Sequence, residues 1–136
     1  MLDIRLINLC PHDIVLLRAD CPAVCDEIEP EFVLASLPSA GELRLDQVVR
    51  RSTEQFVTGE SETLHSGVVF PLQMIDLVPP SKLPEQQQGV LFIVSVLVAA
   101  TLRRSDLVIP GSQVRNSRGQ VLGCRSLNKL EVESGS

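Results

Sequence analysis

The residues with the clearest chemical potential are four arginines in the C-terminal third: the adjacent pair Arg103 and Arg104, and Arg115 and Arg118 on either side of Asn116-Ser117. A guanidinium presents its donors in a planar fork that binds phosphate through two parallel N–H···O bonds. If the segments carrying the two pairs lie side by side, they converge on one small anion. Phe92 offers a ring on which a base could stack, and a core position is the competing reading for it. Arg103 and Arg104 also have a structural reading, because cations are favoured at the C-terminal end of a helix.

Other chemistry is sparse. Cys10, His12, Cys21 and Cys25 supply three thiols and an imidazole, chemically enough for tetrahedral zinc. Their spacing is not that of a zinc knuckle, and Pro11 separates two of the would-be ligands awkwardly, so no metal or cofactor is assigned. His12 reads as a turn residue, and His65 has no evident partner. Ser95 is more cheaply explained as a helix cap than as a nucleophile. The sequence contains no Gly-x-Ser-x-Gly elbow, Walker loop or metalloprotease helix. These absences point away from an enzyme and towards a binding protein.

Charge is unevenly spread over the 136 residues, whose formal net charge is −5. Residues 20–62 hold ten acids against three arginines, a balance of −7, whereas residues 103–129 hold six cations against Asp106, a balance of +5. This asymmetry suits a local anion site, or self-association between unlike surfaces. Duplex nucleic acid fits poorly, since the whole chain is acidic and no basic recognition helix is present. Four phenylalanines with no Trp or Tyr leave little for single-strand stacking. The apolar run Val90–Leu102 has thirteen residues, fewer than the roughly 20 that span a bilayer as a helix. With no secretory signal in the first residues, the expected location is the cytoplasm, without membrane contact.

The elements that must position these groups follow from patterning. Alternation over Met1–Leu9 and the apolar Ile14–Leu17, separated by Cys10-Pro11-His12-Asp13, predict an opening hairpin. Residues 20–31 and 50–66 read as exposed, mobile loops, the second long enough to reach another subunit. Phe32–Leu37, Glu42–Val49 and Val68–Val78 read as strands, the last interrupted at Pro71 and so either two short strands or an edge strand with a bulge. Val90–Val94 is β-branched and aromatic, a buried strand. Ser95 then caps a helix over Val96–Arg104. Leu107–Ile109 forms a short strand turned by Pro110-Gly111, and Asn116-Ser117-Arg118-Gly119 makes a type I turn between two further strands. The expected fold is α+β, mainly antiparallel sheet with one short central helix after a buried strand. It forms a single compact domain over 1–130, with a disordered tail at 131–136.

Several blocks carry a family resemblance. Ile7-Asn8-Leu9-Cys10-Pro11-His12 resembles an Asn-Leu-Thr-Pro-His opening, and Gly89-Val90-Leu91-Phe92-Ile93-Val94-Ser95 resembles a Gly-Thr-x-Tyr-Ile-Val-Ser block preceded by Leu-Pro-x-Pro. Arg104-Ser105-Asp106-Leu107-Val108 and Val114-Arg115-Asn116-Ser117-Arg118-Gly119 are similar to Arg-x-Asp-Leu-Val and Val-Arg-Asp-x-x-Gly blocks. Together they recur in small phage and prophage proteins. Here Cys10 replaces the threonine and Asn116 the aspartate, and residues 21–66 have no counterpart. Size, strand content and C-terminal arginines also resemble the phage anti-Thoeris sponge proteins. The resemblance implies sequestration of a small nucleotide signal in the host cytoplasm without cleavage, and the arginines named above rest on charge alone. The alternative is a structural protein forming a homo-oligomer through its acidic loop and cationic hairpin, with no small ligand. A hydrolase is a third, weaker reading.

Overall fold

A computed structural model describes residues 3–61, 63 and 65–131, so all but the first residue of the expected tail at 131–136 lies outside the described residues. Among the described residues, eight strands and one α-helix follow in order: β1 Arg5–Asn8, β2 Ile14–Leu17, β3 Val33–Leu37, β4 Asp46–Val57, β5 Val69–Val78, β6 Val90–Ile93, α1 Val96–Leu102, β7 Leu107–Arg115 and β8 Val121–Asn128. The fold is β-rich α+β with a single short helix. The chain divides into two compact units, one of residues 1–44 and 81–136, the other Leu45–Pro80.

The first unit is a six-stranded sheet in the order β1-β6-β7-β8-β2-β3. It is mixed, with β1/β6, β6/β7 and β2/β8 parallel and β7/β8 and β2/β3 antiparallel. Helix α1 is the crossover that lets β6 and β7 run parallel, which no tight turn can do. Beyond β3 the chain turns back along β1, where Ala40 N–H donates to Asn8 O (2.8 Å) and Leu43 N–H to Leu9 O (3.0 Å). The sheet therefore curls until its edges meet. Inside the curl, Cys10, Ile14, Ile93, Val108 and Cys124 form one buried cluster, with Leu6, Leu16, Leu37, Leu91 and Leu127 against it. Every strand of the sheet contributes a side chain from itself or its flank, and Ile93 is fully buried. Burying such a residue contributes roughly 1.5–3 kcal/mol.

The expected opening hairpin does not form. Asn8 explains why. Its Nδ2 donates to His12 O (2.9 Å) and Leu37 O (3.0 Å), while its Oδ1 accepts Cys10 N–H (2.9 Å). This buried amide pins the Cys10–Asp13 bend into a crossover, leaving β1 at one edge of the sheet and β2 beside β8.

The 20–31 segment covers the opposite face. Cys21, Cys25, Ile28 and Phe32 pack on Leu17, Val15 and Val114 as a second core. Cys25 N–H donates to Arg115 O (3.0 Å) and Arg115 N–H to Ala23 O (2.9 Å), stitching the segment to the end of β7. The expected break at Pro110-Gly111 is absent as well. Strand β7 runs through it, with Ser112 at a φ of 45°.

The second unit is a two-stranded antiparallel ribbon, β4 with β5, from Asp46 opposite Val78 to Val57 opposite Val69. Where a loop was expected from residue 50, β4 continues to Val57. Register slips between Val49 and Glu54 scramble the two-residue period there, which is why the pattern is lost in sequence. Pro71 sits unbroken within β5 because both strands of a ribbon are edges.

Candidate functional site

The five residues expected to bind a ligand lie in three different settings. Phe92 is 4% exposed and belongs to the core, so it cannot stack on a ligand. Arg104 is committed to the fold. Its Nε donates to Asp106 Oδ1 (2.9 Å), its Nη2 to Asp106 Oδ2, and its Nη1 to Pro84 O (2.8 Å). Asp106 is itself 4% exposed, so the pair is a bidentate ion pair sealed at the foot of β7. Arg103 is the exposed cap of α1, in the left-handed conformation (φ 53°, ψ 39°), with its N–H on Ala99 O.

Arg115 and Arg118 sit at the far end of β7. That strand has nine residues, which at about 3.3 Å each separates the helix end from the turn by roughly 25 Å. The two arginine pairs do not converge on one small anion.

The turn is built by Asn116, whose Oδ1 accepts the N–H groups of Arg118 and Gln120 (both 3.0 Å), with Gly119 at a φ of 79°. Asp26 reaches over from the covering segment, its Oδ1 accepting Ser117 N–H at 3.0 Å. Hydrogen bonds from the Ser117 side chain and backbone hold the Asp26 carboxyl below the usual carboxylate range. The acidic loop and the cationic hairpin thus meet within one chain. Arg115 braces the turn, donating from Nη1 to Gly119 O (2.8 Å) and from Nη2 to Gln113 Oε1 (2.7 Å). Arg118 extends from the tip beside Asp26 and Asn116.

Gln113 connects this turn to a cleft that sequence reasoning did not find. Strands β2 and β8 pair only at Leu16 and Cys124 among the described residues, and towards their N-terminal ends they open on a cleft of about 360 Å³. Its walls include Ile14, Pro110, Leu122 and Cys124, and its polar groups are His12, Asp13 and Gln113. Gly123 permits the narrow end, since a Cβ there would meet Val15 O at 2.8 Å. An apolar cleft of 300 Å³ or more with a few convergent polar groups is the usual form of a small-molecule site. Arg115 lies one hydrogen bond beyond it. The available signal was the alternation Gln113-x-Arg115, which puts both side chains on one face of β7.

Burial pushes the thiols of Cys10, Cys21 and Cys124 up, which disfavours the nucleophilic thiolate. Cys10 belongs to the core inside the curl and Cys21 to the core on the other face, so these two would-be zinc ligands are apart. The exposed His12 has Nδ1 3.1 Å from Asp13 O. No described helix is long and apolar enough to cross a membrane. Comparison with known proteins returns no matching family model, no matching curated protein and no matching solved structure.

Proposed function

We propose that this chain binds a small phosphate-bearing nucleotide in the cleft between β2, β7 and β8 and holds it without converting it. The observation that carries this reading is the Gln113–Arg115 contact, which sets a guanidinium at the edge of the cleft between β2 and β8. Arg115 uses two of its five N–H donors on Gly119 and Gln113. The other donors can meet a phosphate whose nucleoside lies along Ile14, Pro110 and Leu122. Burial holds the thiols of Cys10, Cys21 and Cys124 towards their neutral, weakly nucleophilic form, which suits holding a ligand rather than attacking it. Sequestration of a signal nucleotide, in the manner of a phage anti-defence sponge, agrees with the size, strand content and C-terminal arginines of the chain.

Calorimetric titration with cyclic ADP-ribose and ADP-ribose tests this, with mass spectrometry of the ligand released on denaturation. At least one ligand binds and is recovered intact. Arg115→Ala and Gln113→Ala weaken it about tenfold or more, the scale of one charge-assisted hydrogen bond. No binding by the wild type, unchanged binding by Arg115→Ala, or recovery of a cleaved product each overturns the proposal.

A further inference from the structure

Cys21 and Cys25 stand on the segment that covers the second core, and both thiols turn inward there. Cys21 is 1% exposed among Leu17 and Val114, and Cys25 is half-buried against the same cluster. Extended backbone would carry residues at this spacing about 13 Å apart. The segment is folded back instead. Cys21 N–H donates to Arg18 O (3.0 Å), Pro22 follows, and Cys25 N–H donates to Arg115 O (3.0 Å). Val24 bridges to Arg115 and points outward, 66% exposed, while its neighbour Cys25 faces in. The two sulfurs are neighbours: burial first, and then the adjacent Cys25 thiol, push the Cys21 thiol up. Cys21 Sγ donates to Pro22 O at 3.7 Å, so its proton has a backbone acceptor.

Exposure divides the roles. Cys25 is the thiol that a small solute reaches, and Cys21 is the shielded partner beside it, the arrangement of a reactive cysteine with a resolving one. We propose that Cys21 and Cys25 form an oxidisable dithiol, which hydrogen peroxide closes into a disulfide that clamps the covering segment onto the end of β7. The Cys25 thiolate attacks one peroxide oxygen, the O–O bond breaks, and the departing hydroxide is protonated to water, leaving a sulfenic acid. The Cys21 sulfur then attacks the Cys25 sulfur. The S–S bond forms as the S–OH bond breaks, and the Cys21 proton leaves with that hydroxide as a second water. Two thiols lose two electrons in all, and the peroxide takes them up. Proximity offsets the weak nucleophilicity of the buried thiol. Cys25 and Ala23 hold Arg115 through two backbone hydrogen bonds, and Asp26 holds Ser117 N–H at 3.0 Å. Arg125 Nη1 fixes the Cys21 carbonyl at 3.1 Å. A bond from Cys25 to that anchored residue keeps the segment from lifting off β7. The proposal uses the backbone of Arg115, not its side chain, and is independent of nucleotide binding.

The full chain, reduced and freed of reductant, is treated with hydrogen peroxide, alkylated during denaturation and digested with trypsin. Cleavage after Arg18 and Arg44 leaves both cysteines on one peptide, separate from Cys10 and Cys124. That peptide is expected to lose two hydrogens and resist alkylation, and to take up two alkyl groups after dithiothreitol. Cys10 and Cys124, 5% and 2% exposed, are alkylated throughout. The oxidised protein melts roughly 5 °C higher, as a small closed ring predicts, and the amides of Cys25 and Arg115 exchange more slowly with deuterium. In Cys21→Ser, oxidation of Cys25 stops at the sulfenic acid, which dimedone captures. In Cys25→Ser, Cys21 stays a thiol. Should either variant misfold, the wild-type peptide mass decides. A peptide that remains doubly alkylated after peroxide overturns the proposal, as does oxidation that falls first on Cys10 or Cys124. A disulfide formed only between two chains overturns it too.

Discussion

Arg104 and Asp106 illustrate how one residue decides between structure and binding. A solvent-facing Arg104 would be a phosphate ligand, but a carboxylate two residues on takes its fork and buries with it. Removing one partner of a buried pair leaves the other charge unsatisfied, which costs about 3–5 kcal/mol. Asp106→Ala is therefore expected to lower stability by about 3 kcal/mol or more, read from urea unfolding followed by circular dichroism, since the chain lacks Trp and Tyr. A midpoint that does not move would show that the pair carries no weight. The sequence held both residues of this pair within three positions. It did not show whether Arg104 faced solvent or its own acid, because that depends on β7 lying beside Pro84. Phe92 repeats the lesson. Its place in an apolar strand was legible, and its burial follows from which face of β6 it occupies.

At the scale of elements, the legible ones were those with complete local signals. Ser95 accepts the Val98 N–H at 3.3 Å and starts α1 where a cap was expected. Asn116 and Gly119 make the predicted turn for the predicted reasons. The failures are elements whose period is interrupted, as in β4, or whose breaker residues sit in strand conformation, as Pro110 and Gly111 do. Helix α1 also carries a local cost, since Arg103 adopts the left-handed region that an L-residue with a Cβ enters at about 1–2 kcal/mol. Glycine is the usual residue at such a helix end. Arg103→Gly should accordingly raise stability by about 1 kcal/mol, seen as a higher urea midpoint. It should leave nucleotide affinity unchanged, because the cleft lies towards the other end of β7. A loss of affinity would return Arg103 to the binding site.

Over the whole molecule, topology was the least legible level. Strand order depends on Asn8 pinning a crossover and on residues 40–43 closing the curl, both long-range hydrogen-bonding outcomes without a local pattern. The division into units has a simpler origin. Among the described residues, the two buried clusters of the sheet are built from residues outside Leu45–Pro80. The ribbon leaves and re-enters the chain as a pair, since Asp46 stands opposite Val78. Opposed Cα atoms in such a pair are about 5 Å apart, a gap that a two-residue turn bridges. Replacing residues 46–78 by Asn-Gly should therefore give a chain that folds cooperatively, with the methyl resonances of Ile93, Val108 and Val114 retained in NMR spectra. It should bind nucleotide as the wild type does. A molten or insoluble product would show instead that the six-stranded unit needs the ribbon to fold.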